Sequence, residues 1–346
     1  MCEDTAEFTT ITGPRDRIEW LMGHWKELRF VTGEPLPERD IRIRWYDLAG
    51  ELGEAYRDPA CGAVAVALHP KGEAARTAAS LIAAFDLVDE SGSLRCEAGH
   101  TFAGDAAPGG GPALLDPVQV ARALPLIPVL PKQPGSRVAL LDTGVDVAAG
   151  PMVDLTAGWP LTGIAPHDPH GHGSSVAQAI RAQAPHADIM AIRVLGPSNK
   201  GSSLTIYQGL IAALWDGQGC DVVNASFGVD ATNSCGTALG ATFSYLMTLR
   251  ARIGYLRPPP VLVVAAGNNR TTLRSPATAD GAYVVPATDF NGVQAPYCAQ
   301  LVLGSGVISY PAPGGIKGDP LGHYSSGAEV YGTSFAAGFV SGALLG

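Results

Sequence analysis

The sequence predicts an α/β protein, built as a doubly wound, mostly parallel sheet with a smaller N-terminal α+β domain. Three observations lead there. The later part of the chain holds short, nearly continuous apolar runs, "RVALLD", "DIMAIRVL", "CDVVNASF" and "VLVVAAG", as expected of strands buried on both faces. Between them lie stretches of helical character, "HGSSVAQAIRAQA", "LTIYQGLIAALWD" and "ATFSYLMTLRARIGYL", and strands alternating with helices form βαβ units. Ahead of both, "FAGDAAPGGGPALLDP" is dense in Gly and Pro near 104–113, which reads as a linker. The domains are therefore 1–110 and 111–346.

In the N-terminal domain, "RDRIEWLMGHWKELR" reads as an amphipathic helix with Ile18, Leu21, Met22 and Trp25 on one face. "IRIRWYDL" and "GAVAVALHP" read as strands, and "GEAARTAASLIAAFDLV" as a second helix. Nothing in this region has the spacing of a catalytic site, and the chain shows no internal repeat.

Composition narrows the partners. Of 346 residues, 46% are apolar and 16% charged, and the net charge is −9, which describes a globular chain with a large core. Phosphate binding needs clustered cations, so nucleic acid and anionic membrane surfaces are disfavoured. There is no run of about 18 apolar residues to cross a bilayer. The first residues, "MCEDTAEFTTITGPRDRIEW", lack the apolar core of a secretory signal. Six dispersed cysteines show neither CxxC nor zinc spacing. These features together give the expectation of a reduced, cytoplasmic setting.

In doubly wound sheets the working residues collect at the carboxyl ends of strands. Here the strand ends deliver Asp142 in "LDTGVD" and Asn268 after Gly267, while His172 and Ser334 stand at helix entrances in "HGHGSSVA" and "YGTSFAAG". An Asp, a His, an Asn amide and a Ser at one sheet edge are the parts of acyl transfer. A serine hydroxyl needs a neutral imidazole to take its proton, and the imidazole needs a buried carboxylate on its other nitrogen. The oxyanion needs fixed donors, supplied by the Asn side chain and the nucleophile's own N–H. Each piece also has a plainer reading: "LDTG" as a turn, "GTS" as a helix cap, Asn268 as a turn residue. His167, His170 and His172 also permit a metal reading, although no Cys or carboxylate sits at a matching spacing.

Taken in order, "VALLDTGVD", "HGSSVA", "VVNASFG", "VVAAGNN" and "YGTSFAAG" resemble the signatures of the subtilisin-like serine proteases, the subtilase family, over roughly 135–346. "APHADIMAIRVLGPSNKGSS" and "SPATADGAYVVPATD" resemble connecting segments of that family. The intervals of 30, 96 and 66 residues between Asp142, His172, Asn268 and Ser334 suit it too. The resemblance implies a serine endopeptidase with Asp142, His172 and Ser334 as triad and Asn268 as oxyanion donor. It further implies that Ser226, Phe227 and Gly228 form an edge strand for an extended peptide substrate. Ala265, Ala266 and Gly267 would then line a roomy apolar pocket for the side chain preceding the cut.

No organic cofactor is implied. Calcium is common in the family as a structural ion, but no ligand set is assignable here. Ser175 stands where a second histidine is common, and Gly338 where proline is usual. Only 12 residues follow Ser334, so the catalytic domain reads as short at its C-terminus. The domain ahead of it reads either as a propeptide or as a retained recognition or regulatory domain. Two rivals to the protease reading stay open: a catalytically impaired binding module of the same fold, and a dimeric aspartic peptidase in which "DTG" supplies one of two aspartates.

Overall fold

The computed structural model describes residues 8–27, 34–35, 41–44, 62–68, 95–98, 101–104, 113–133, 135–146, 152–156, 161–164, 167–215, 219–229, 243–244, 247–248, 250–251, 258–270, 273, 276–301 and 308–346. The chain divides into two compact units, Met1–His100 and Thr101–Gly346.

The first unit contains an antiparallel sheet. Its strands are β1 (Phe8–Pro14), β2 (Ile41–Arg44), β3 (Gly62–Leu68) and β4 (Arg95–Ala98), in the order β2-β3-β1-β4. Ile11 lies opposite both Ala65 and Cys96 in the register and is fully buried. Helix α1 (Arg15–Gly23) follows β1 directly. Its expected apolar face holds, with Ile18 and Leu21 buried, Trp25 buried in the turn beyond it and Met22 half-buried. The second helix expected over "GEAARTAASLIAAFDLV" lies outside the described residues.

The second unit begins with β5 (Thr101–Gly104) and β6 (Ala113–Leu115), then helix α2 (Pro117–Ala123). Asp116 caps α2, accepting a bond from Val118 N at 2.8 Å. The central sheet contains β7 (Arg137–Asp142), β8 (Met152–Asp154), β9 (Leu161–Ile164), β10 (Asp188–Arg193), β12 (Val222–Ala225), β14 (Val261–Ala265), β15 (Tyr283–Val285) and β17 (Ile308–Ser309). Between these in sequence come the short strands β11 (Lys200–Ser202), β13 (Phe227–Val229) and β16 (Ala287–Thr288). The order across the sheet is β17-β15-β14-β12-β7-β10-β8-β9, parallel except for the β8–β9 edge. β7 therefore has parallel neighbours on both sides, and Val138 to Asp142 are buried without interruption. This is the doubly wound architecture read from the apolar runs.

The helices of this unit are α3 (His172–Gln183), α4 (Ser203–Trp215) and α5 (Thr333–Ala343). Every residue of α5 is buried. It lies directly against α3, and its small residues face that helix. A Cβ added at Gly342 would come 2.3 Å from the Ile180 carbonyl oxygen and 2.8 Å from Gln183 Cβ. Gly338 is similarly placed, with Ala179 Cβ and the Val176 carbonyl 3.0 Å from such an atom. The "AAGFVSGALLG" composition thus lets two helices approach more closely than branched residues permit. Behind α5, Lys132 Nζ donates to the Ala343 carbonyl at 3.0 Å and Gln133 N to that of Leu344 at 2.7 Å, occupying terminal carbonyls that a helix leaves open.

Gly342→Ala is expected to destabilise the second unit by about 1–3 kcal/mol through overpacking. A urea midpoint equal to that of the unaltered chain would contradict the close approach of α3 and α5.

Candidate active site

Asp142 is the last residue of β7, level with Arg193 of the neighbouring β10. Its carbonyl accepts from Val194 N and Leu195 N at 2.9 and 3.1 Å, so the strand end is held by main chain. Its Oδ1 accepts from Thr143 N at 2.7 Å and lies 2.7 Å from His172 Nδ1. Both side chains are fully buried. His172 opens α3, and the helix comes this close because the next residue is glycine. A Cβ at Gly173 would stand 2.1 Å from the Gly144 carbonyl and 3.1 Å from Asp142 Cβ.

Ser334 lies in the first turn of α5 and is fully buried. Phe335, the next residue, has its ring centroid 5.7 Å from that of His172, so the imidazole sits beside the start of this helix. The Ser334 hydroxyl donates to the Ser226 carbonyl at 3.2 Å. Ser226 Oγ in turn donates to Asn224 Oδ1 at 2.7 Å and reaches the Ser334 carbonyl at 3.3 Å. Asn224 Nδ2 donates to Ser341 Oγ at 2.9 Å, which ties β12 to the body of α5.

Asn268 follows the turn at Gly267, after β14. Its Oδ1 accepts from Thr333 N and Thr333 Oγ1, both at 3.1 Å, while Thr333 Oγ1 accepts from Gly267 N at 3.1 Å. The planar amide then has its oxygen turned to Thr333 and its Nδ2 turned the other way. Ala265, Ala266 and Gly267 occupy the carboxyl end of β14 just before it, with both alanines buried.

Of the edge strand expected from Ser226, Phe227 and Gly228, the last two lie in β13, which Ser226 precedes, and β13 is paired. β5 lies antiparallel between it and β11. Phe227 faces Gly104 and Gly228 faces Ala103 on one side, while Lys200 faces Ala103 and Gly201 faces Phe102 on the other. Residues 101–104, which border the stretch read as a linker, thus pair as a strand of the second unit.

The structure brings together Asp142 and His172 directly, bonds Ser334 to Ser226, and separately bonds Asn268 to Thr333, the residue before Ser334. Thr333 and Asn224 escaped the sequence reading. Thr333 looks like a helix cap in "GTS", and Asn224 like any strand residue in "VVNAS"; their partners Asn268 and Ser341 are distant in sequence. Ser175, fully buried, donates to the Gly171 carbonyl at 2.8 Å. His167 is exposed and His170 is buried. Burial chiefly, and then the adjacent His172, pull the His170 pKa below the ordinary histidine value. Among the described residues no three His, Cys, Asp or Glu side chains gather where they would hold a metal ion. Cys220 and Cys298 are buried thiols outside any disulfide.

This sheet, with a buried Asp–His pair at the end of its central strand and a serine at the entrance of a buried helix, defines the subtilisin-like class. The model of the subtilase family, Peptidase_S8, matches residues 133–345, and the chain belongs to that family. A thermostable alkaline protease of Halalkalibacterium halodurans is 32% identical over 175 residues, covering 47% of this chain and 44% of that protein. Subtilisin Savinase of Lederbergia lenta is 32% identical over 225 residues, covering 60% of this chain and 74% of that protein. A solved cold adapted subtilisin-like serine proteinase aligns at 24% identity and a TM-score of 0.45, over 60% of this chain and 73% of that one. The chain spans about half the length of several curated relatives it matches.

Proposed function

We propose that the chain is a serine endopeptidase that cuts an extended peptide through an acyl-enzyme. The supporting observation is the buried 2.7 Å contact of His172 Nδ1 with Asp142 Oδ1, on an imidazole packed beside the turn that bears Ser334. In this reading the Ser334 hydroxyl swings from the Ser226 carbonyl by rotation about χ1. Its oxygen attacks the scissile carbonyl as His172 Nε2 takes the proton. His172 then passes that proton to the leaving amine, while Asp142 stays ionised and stabilises the imidazolium. Asn268 Nδ2 and the Ser334 N–H receive the oxyanion, and Thr333 holds the amide in the required orientation. Ala265, Ala266 and Gly267 line the pocket for the side chain before the cut. No organic cofactor enters; calcium, common in the family, is left without a ligand set among the described residues.

Asn268→Ala is expected to lower kcat by about 10²–10³-fold, a magnitude borrowed from subtilisin itself, where this kind of donor has been removed. The assay is hydrolysis of an unfolded protein substrate, and a kcat unchanged by the substitution would remove Asn268 from the oxyanion site.

The strand partners of β5 suggest what the first domain does. A substrate backbone would add between β11 and β13, where residues 101–104 of the same chain are paired. With Phe227 opposite Gly104, the pairing proceeds toward Ser226, whose carbonyl holds the Ser334 hydroxyl. Residues 1–104 are therefore read as a propeptide whose last strand, β5, takes the substrate position, with the cut shortly after Gly104. N-terminal sequencing of matured protein is expected to give a start between 105 and 115, and Ser334→Ala is expected to stay full-length. A fully active preparation that keeps residue 1 would instead make this a retained regulatory domain.

The contact of Asp142 with His172 speaks against the aspartic-peptidase reading. In a shared-proton dyad Asp142 would face a second aspartate, whereas here it faces His172. The binding-module reading draws on the serine hydroxyl's bond to Ser226; it predicts peptide binding with no serine labelling. Peptide or protein is the partner class, and the net charge of −9 disfavours nucleic acid and anionic membrane. The cytoplasmic expectation finds no support in the relatives. No helix of the described residues is long and apolar enough to cross a membrane.

A further inference from the structure

We propose that Asp168 is a positioning residue that sets the geometry of the Asp142–His172 pair, an inference that rests on the protease reading above. In sequence it is an unremarked aspartate four residues before His172, in "HDPHGHGSS". Helix α3 receives no side-chain bond from its own cap residue, Gly171, although the first N–H groups of a buried helix need acceptors. Asp168 supplies them, and it is only 3% exposed.

One carboxylate binds residues beside both members of the pair. Oδ1 accepts from Thr143 Oγ1 at 2.8 Å, His170 N at 3.1 Å and Gly171 N at 2.8 Å. Oδ2 accepts from Ser174 N at 2.8 Å and Ser174 Oγ at 2.7 Å. Thr143 directly follows Asp142, and its Oγ1 also accepts from Gly173 N at 3.0 Å, directly after His172. The end of β7 and the start of α3 are thereby clamped across a single charged group. Asp146 closes a second link, taking Asp168 N at 2.7 Å on its Oδ1 and giving its own N–H to Ser174 Oγ at 3.0 Å. Charge-assisted bonds of this kind are short and directional, and a negative charge at a helix N-terminus is favourable.

All of these partners are donors toward Asp168, so asparagine is not a conservative replacement. Its Nδ2 would meet donors whichever way the amide turned, and one side of the clamp would open. Asp168 touches no reacting atom in the proposed mechanism, so its effect must pass through the placement of His172 and Asp142. Misplacement of a reacting group by about 1 Å can cost about 10²-fold in rate.

The test uses the full chain. Asp168→Asn is expected to lower kcat by about 10²-fold, with KM essentially unchanged, at temperatures far below its melting point. The downfield proton resonance of the His172 Nδ1–H, read by NMR, is expected to broaden or vanish. Ser174→Ala, which keeps the carboxylate and removes one donor, is expected to show the same changes at smaller size, and it carries the test if the first variant does not fold. Wild-type kcat together with an unaltered resonance in a folded variant would overturn the clamp, even with a lowered melting point. If the unaltered chain itself fails to react with a fluorophosphonate, the protease reading fails. The resonance comparison still decides the role of Asp168 in that event.

Discussion

Ser334→Ala is expected to lower kcat by about 10⁶-fold, the size of loss that removal of the nucleophile causes in subtilisin, a relative from which the figure is borrowed. Ser334 is fully buried in the first turn of α5, and removing one hydroxyl loses a single bond, to the Ser226 carbonyl. Alanine is well tolerated in a helix, so the variant is expected to keep its fold while losing the proposed nucleophile. His172→Ala should fall by a similar amount, and the double variant by little more, because the residues act as one unit. Steady-state hydrolysis of an unfolded protein substrate measures this. A residual rate within tenfold of the unaltered chain would assign the nucleophile elsewhere.

Asp142→Asn is the next largest, an expected fall of about 10⁴-fold in kcat, again a magnitude carried over from serine proteases. Asn matches Asp in shape, and its oxygen can still accept from Thr143 N, now at 2.7 Å from Asp142 Oδ1. What disappears is the negative charge against an imidazole that is itself wholly buried. In so buried a site no solvent would take over the support of the imidazolium that the proposed mechanism forms on His172. Asp142 touches no substrate in the mechanism, so KM should hold. A fall in kcat of less than tenfold would mean that the 2.7 Å pair is structural.

Much of this was legible in the residues themselves. β7, β10, β12 and β14 were visible because a strand covered on both faces is written as an unbroken apolar run, and α3 and α5 because their entrances carry glycines before a small-residue helix. Asp142, His172, Asn268 and Ser334 were legible as strand-end and helix-entrance residues. What escaped depends on partners far away in sequence. Residues 101–104 border a Gly/Pro-rich stretch and show no period of their own; only the flanking strands β11 and β13 make them a strand. Thr333 reads as a cap because its bond to Asn268 spans 65 residues. Asp168 reads as a loop residue because its role lies in the five donors gathered around it. The close packing of α3 on α5 at Gly338 and Gly342 was not read, because the partner that fills the space lies far off in sequence.

The most direct test of the account is whether Ser334 and His172 act on one another. Matured protein is treated with a fluorophosphonate and digested, and the labelled peptide is mapped in the unaltered chain, Ser334→Ala and His172→Ala. The account predicts label on the peptide containing Ser334 in the first and on neither variant. Label that persists in Ser334→Ala, or undiminished labelling of Ser334 in His172→Ala, would contradict it.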